Sequence, residues 1–432
     1  MTKPNIVFLH SHNTGCYVQP YGHAVATPNL QRMAERGVLF SHAFAASPTC
    51  SPSRASIMTG QYPHNNGMIG LAHRGFSLDD PRHHIAHALY RAGYHTILLG
   101  VEHTCRDIAD AGYDETYPPE LCDAADVAPK AVEIIRRGHD KPFFLSIGLT
   151  QTHRPFPEPG PGDDERYALP PAPLPDVPAV RRDMARFKTA ARQMDGCWGR
   201  IIDVLDETGL SDRTLVFCFS DHGLQFPRMM TNLTDHGLRV YLIAHGPGGF
   251  EGGKVIESMV SLMDLFPTVC DVADIAPPPW LQGKSVRPLV DGSADVLHKH
   301  LFAEMNFHAA YEPQRTVRTD RWRYIRRFDE RDRVVLCNAD DSPSKQVLMD
   351  CGWSVQPHDQ EMLFDFIFDP QQSHNLAGNP GASATLSKMR GLLDHHMRET
   401  NDPLLHGPMP IPVGAEINNS DSISPRDRQK QR

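Results

Sequence analysis

The chain has 432 residues, 40% of them hydrophobic and 22% charged, with a formal net charge of −9. That is ordinary globular composition at a length suited to one large α/β domain with a smaller appendage, and its acidic balance argues against a general nucleic-acid or anionic-membrane binder. Nine cysteines, odd in number and without a CxxC pair, fit reduced thiols better than a disulfide framework.

The opening MTKPNIVFLHSHNTG lacks the segments of a secretory signal, and no run approaches a membrane span, so a cytoplasmic location is expected. NIVFLH reads as a buried strand. TPNLQRMAERGVLF, with a Thr-Pro start and a Gly stop, reads as a helix. HIAHALYRAGYHTILLG reads as helix, turn and strand, KPFFLSIGL as another buried strand, and FKTAARQMDGCWGRIIDVLDETGL as a long amphipathic helix. RTLVFCFSDHG is a strand that ends on Asp221-His222-Gly223, and VSLMDLFPTVCDVADI is a further helix. Strands alternating with helices predict a large, mostly parallel sheet sandwiched by helices, with functional groups at the carboxyl ends of strands.

The pattern changes near residue 295. RTVRTDRWRYIRRF reads as one alternating, arginine-rich edge strand, its charges exposed. EMLFDFIFDPQQSHNLAG and a final helix, ATLSKMRGLLDHHM, complete a smaller C-terminal α+β subdomain. Expected boundaries are therefore 1–295, 296–402 with an antiparallel sheet, and 403–432 as an arm or disordered tail.

The stretch SPTCSPSRASIMTGQYPHNNGM, Ser47 to Met68, sets Cys50 in a tight Ser/Pro/Arg frame just before a helix. A structural cysteine needs no such frame, whereas a reactive one does. Cys50-Ser51-Pro52-Ser53-Arg54 fits C-x-P-x-R, continued by ASIMTG, and resembles the signature of the type I sulfatases of the alkaline phosphatase superfamily. KPNIVFLHS, PFFLSIGLTQTHRPF, TLVFCFSDHG and LFDFIFDPQQSHNLA follow the family's order, so the likeness covers nearly the whole chain. TGQYPHNNGMIGL is most similar to the heparan N-sulfatase (sulfamidase) branch.

The resemblance implies hydrolysis of sulfate esters or sulfamates by Cα-formylglycine made from Cys50, whose hydrated aldehyde supplies the nucleophilic oxygen. It gives Arg54 to hold that group and neutralise charge, and His103 to contact the nucleophile. It gives His153 to bind substrate and act as general acid. Asp221 and His222 match one pair of metal ligands, and His12 and Asn13 fall where the family has two aspartates. The family's lysines fall on Val101 and Met230, so Arg228 is a candidate substitute cation for the substrate. His64, His73, Arg74, Arg154 and His308 are further residues that could shape an anion pocket. Calcium is the family default, but the imidazoles shift the expectation to manganese or zinc. Expected partners are a small anionic substrate and a formylglycine-generating enzyme, with a homo-oligomer possible. Two alternatives stand beside this reading: a phosphonate monoester or phosphodiester hydrolase of the same superfamily, and a non-catalytic relative that binds anions.

Overall fold

The computed structural model describes residues 3–428. Its centre is an eight-stranded sheet. In chain order the strands are β1 (Asn5–Ser11), β2 (Val38–Phe40), β3 (His95–Gly100), β4 (Glu115–Thr116), β5 (Phe143–Gly148), β6 (Thr214–Ser220), β7 (Leu242–His245) and β8 (Lys254–Ile256). Across the sheet they run β8-β2-β7-β6-β1-β5-β3-β4. β1 is parallel to β5 and β6, and β3 to β5, while β7 is antiparallel to β6 and to β2. The sheet is thus mostly parallel, as the alternating pattern predicts.

Because successive strand side chains face opposite ways, β1 feeds two cores. Phe8 packs with Phe144, Phe217 and Phe219 beneath α2 (Cys50–Thr59), α3 (Ile85–Arg91) and α5 (Leu265–Val272). Val7 and Leu9 face Met194, Trp198 and Ile201 of α4 (Pro178–Glu207). TPNLQRMAERGVLF splits at Gly37: the helix Pro28–Arg36 ends there, and Val38–Phe40 joins the sheet as β2.

The smaller sheet is antiparallel and takes β9 (Leu301–Phe307), β10 (Tyr311–Arg318), β11 (Trp322–Arg327) and β12 (Glu361–Asp365) in chain order. A helix, Ser383–Glu399, covers one face through Leu386, Met389, Leu393 and Met397 against Val317, Tyr324 and Leu363. The arginine-rich run is not one exposed edge strand. It is the hairpin β10–β11 in the sheet interior, and Arg315, Arg318, Arg323 and Arg327 are buried. The physical reason is pairing: Arg315 meets Asp402, Arg318 and Arg323 meet Asp235, and Arg327 meets Asp329 and Glu312. A buried guanidinium is tolerated when a carboxylate receives it. Beyond Asp402 the chain runs back over the larger part of the fold. Met409, Ala415 and Ile417 pack with Met68, Phe76 and Phe307, and Arg74 donates to Asn418 Oδ1 (2.8 Å) and to the Pro425 carbonyl (2.6 Å).

Candidate active site

The site forms where parallel strands end together. Ser11 of β1 lies beside Ser220 of β6, and His10 beside Gly148 of β5. The next residues out of β1 and β6 are His12-Asn13 and Asp221-His222, so the register alone brings the two pairs face to face. Gly148 is required at its place: a Cβ would lie 2.2 Å from the Val101 carbonyl oxygen and 2.5 Å from His10 Cε1.

Helix α2 enters this point with Cys50 as its first residue. Cys50 Sγ lies 3.2 Å from His222 Nε2 and 3.6 Å from Asn13 Oδ1. His222 Nδ1–H donates to the Gly223 carbonyl (3.1 Å), which leaves the Nε2 lone pair facing Cys50. Asp221 Oδ1 accepts the backbone N–H of Asn13 (2.8 Å) and of His222 (2.9 Å). Its Oδ2 accepts Arg54 Nε–H at 3.0 Å and lies 3.6 Å from His12 Nε2. Arg54, only 1% exposed, also donates from Nη1 to His10 Nδ1 (2.6 Å) and from Nη2 to the Ser11 carbonyl (3.4 Å). His10 Nε2 in turn meets Ser146 Oγ at 3.1 Å. His10 and His12 share one side of β1, yet their tasks divide: His10 braces Arg54, and His12 faces the cluster.

Donor atoms of His12, Cys50, Asp221 and His222 lie within 4.8 Å of one another, and all four residues are buried. Neither ring nitrogen of His12 has a hydrogen-bond partner, nor does Asn13 Nδ2. Buried polar atoms ordinarily find partners, so the orphaned His12 imidazole fits a divalent cation held by His12, Asp221 and His222, with the Asn13 Oδ1 facing Cys50 beside them. Burial above all holds His12 well below the usual imidazole range and lowers His222 as well, which favours the neutral form that ligates metal. Burial, then the Asp221 charge, pushes the Cys50 thiol well up. An unmodified Cys50 is therefore protonated at neutral pH and a poor nucleophile.

His12 is also the hub for the remaining histidines. Ring centroids of His153, His103 and His222 lie 4.5, 6.0 and 6.5 Å from its own. His153 Nδ1–H donates to the Arg154 carbonyl at 2.5 Å, so Nε2 is the atom left to hold or move a proton. His103, with a left-handed backbone (φ 68°), pairs with His73 at 3.0 Å. Burial is the main cause that holds His103 down to about 3. Cys50's own hydrogen bonds, among the described residues, go to Asn13 and His222 rather than to His103.

Arg228 is not brought to the site. Followed by buried Met229 and Met230, it is itself exposed, with φ 66°, and its Nη1 donates to the Pro173 carbonyl at 3.4 Å. Val101 and Met230 thus have no substitute cation from that residue. His64 is committed to Glu304, and Arg154 to Asp183 by two bonds of 2.7 and 2.6 Å. Sequence reasoning missed Gln225 and Asp340. Gln225 Nε2 donates to Asp340 Oδ2 (2.6 Å) and lies 3.3 Å from His153 Nε2, while its Oε1 accepts the Arg154 N–H (2.6 Å). Asp340 and His308 come from the smaller subdomain, and no local signal in NADDSPSK separates Asp340 from a solvated loop acid.

The sulfatase family profile matches residues 4–275 of the sequence. The chain belongs to the sulfatase family. A second profile, the C-terminal region of N-sulphoglucosamine sulphohydrolase, matches residues 220–350. The human N-sulphoglucosamine sulphohydrolase is 29% identical over 89% of this sulfatase and 88% of its own length. An ulvan-active sulfatase of Formosa agariphila is 25% identical over 93% and 76%. The phosphonate monoester hydrolase of Agrobacterium radiobacter shares the fold at 21% identity with a TM-score of 0.69, covering 93% of this sulfatase and 97% of the other chain. No described helix is long and apolar enough to cross a membrane.

Proposed function

We propose that this sulfatase hydrolyses sulfate esters or sulfamates at Cys50, matured to Cα-formylglycine, with a transition-metal ion on His12, Asp221 and His222. The observation that carries the reading is the convergence of Cys50, Arg54 and three prospective ligands at the mouths of β1 and β6. Two neutral imidazoles and a carboxylate already engaged by Arg54 favour manganese or zinc over calcium, which prefers a cage of oxygens.

When bound, the cation would polarise the sulfuryl oxygens, and the hydrated aldehyde of Cys50 would supply the attacking oxygen. The chain's own residues do the rest. Arg54, pinned by Asp221, His10 and Ser11, is a preorganised positive charge beside the reacting group, and its remaining N–H groups can meet an oxyanion. The Arg154 carbonyl accepts Nδ1–H and the Gln225 amide N–H faces the Nε2 lone pair, so the two orient the His153 ring with Nε2 as its basic nitrogen; once Nε2 has taken up a proton, it can pass it to the leaving oxygen or nitrogen. The buried setting of Cys50 excludes bulk water from the attacking position.

The Asp221–His222 pair also suits a phosphonate monoester or phosphodiester hydrolase, and one assay separates the two. Protein co-expressed with a formylglycine-generating enzyme is checked by intact mass for conversion of the Cys50 thiol to an aldehyde. It is then given matched sulfate, sulfamate and phosphonate substrates. Sulfate release that requires the aldehyde and vanishes in Cys50→Ala is expected. Faster turnover of phosphonates would favour the second reading, and inertness of fully converted, metal-loaded protein would refute both.

A further inference from the structure

A cavity of about 820 Å³ opens beside His12, His103 and His153. That is ample for a small organic group. Beyond the histidines its wall is Ala72, Val101, Cys105, Ile108, Pro118 and Pro119. Val101 stands where the family resemblance expects a lysine.

The polar side chains on the wall are already spent inside the protein. The Glu102 carboxylate accepts the backbone N–H of Thr104 (2.7 Å) and of Cys105 (3.0 Å), and the Thr104 hydroxyl as well. The Thr150 hydroxyl donates to the Cys122 carbonyl at 3.1 Å, and the Tyr117 phenol to Glu115 at 2.5 Å. Thr116 and Arg106, both exposed at the rim, are the exceptions: the Arg106 guanidinium gives one N–H to the Gly75 carbonyl and keeps its others. A site that reads sugar hydroxyls presents free donors and acceptors to them, because each hydroxyl stripped of water without a partner costs binding energy. Inside the rim and away from the histidines this wall offers almost none, and its apolar surface gains from being covered.

We propose that the cavity receives the organic part of the substrate and that this part is an alkyl or alicyclic group rather than a sugar. The inference rests on the sulfuryl-hydrolase reading above for its placement of the anionic end, which sits at the histidines and Arg54. It narrows the substrate to sulfated apolar alcohols or amines.

Unreactive sulfonates test it without turnover. The full, metal-loaded chain is titrated calorimetrically with ethane-, butane- and hexanesulfonate, and with the matched pair cyclohexylmethanesulfonate and sulfoquinovose, both of which carry the sulfonate on a primary carbon. Kd should fall roughly fourfold per methylene, the equivalent of about 0.8 kcal/mol. The cyclohexyl compound should bind at least about tenfold more tightly than the sugar. Ile108→Asn should weaken hexanesulfonate about tenfold and leave ethanesulfonate unchanged, and the near-isosteric Val101→Thr gives the same reading if the first variant fails to fold. A flat response to chain length, sulfoquinovose binding as tightly as the cyclohexyl compound, or no binding at millimolar concentration would overturn the proposal. Chain-length-dependent binding without cleavage of the corresponding sulfate esters would instead remove the hydrolytic reading and leave the cavity's preference standing. Cleavage that favours sugar sulfates would do the reverse.

Discussion

Arg54→Met tests whether the centre is built around one buried charge. Arg54 and Asp221 are essentially inaccessible, and the guanidinium holds the Asp221 carboxylate at 3.0 Å, His10 at 2.6 Å and the Ser11 carbonyl at 3.4 Å. Removing one member of a buried pair leaves the other uncompensated and costs about 3–5 kcal/mol. The stranded acceptor on His10 adds about 1 kcal/mol. Methionine fills much of the volume, so the cavity contribution is small. Equilibrium urea unfolding in chelator should therefore show a loss of about 4 kcal/mol. The distinctive outcome is the response to metal: with Arg54 gone, Asp221 keeps its two backbone N–H donors but has the cation as its charge partner, so saturating manganese should restore more stability to the variant than it adds to the wild type. Arg54→Lys keeps the charge without the fork and should fall between the two. A loss below about 1 kcal/mol in chelator, or equal stabilisation of both proteins by metal, would refute the argument.

Protein purified without chelators should carry manganese or zinc, measured by elemental analysis, and His12→Ala should lose most of it. Retention of the ion by His12→Ala, or reactivation of stripped enzyme by calcium alone, would remove His12 from the ligand set. Away from the site, burial pushes the Glu312 carboxyl from 4.5 up to about 7 against the pull of Arg327. The folded chain then holds a proton that the unfolded chain has released, so the favourable contribution exists below the ordinary carboxyl range and is lost as pH rises through about 7. Glu312→Gln, which can keep the Asn338 bond, should be more stable than the wild type by about 3 kcal/mol at pH 8.5 and near parity at pH 4.5. Parallel stability–pH curves for the two proteins would contradict it.

The parts of the fold that were legible in the sequence are those governed by local pattern. β1, β5 and β6 are fully buried, mostly apolar runs because both faces of a parallel sheet are covered, and Cys50 stands at a helix entrance as its frame predicts. From those strands the placement of His12, Asn13, Asp221 and His222 follows by register. The failures share a cause: pairing with partners distant in sequence. The alternation of RTVRTDRWRYIRRF was visible, but Asp235 and Asp402, which bury its arginines, lie far along the chain. Arg228 is near the right segment but is exposed and donates to the Pro173 carbonyl, a partner far along the chain. Asp340 reaches Gln225, and through it His153, only because the smaller subdomain docks there.

Helix α2 is buried along its whole length, with Ser51 and Ser53 fully inaccessible and Arg54 nearly so. Any enzyme that reads the Cys-x-Pro-x-Arg frame as a linear peptide therefore has no access to it in the finished molecule. On the formylglycine reading proposed above, oxidation of Cys50 and closure of the fold are competing events, and the first must win. The fraction of mature protein is then set by a race at synthesis: slower translation of the strands that follow residue 60, or a delay in docking the last arm, leaves the frame open longer. Once β6 has closed over it, a chain that kept its thiol keeps it until it unfolds.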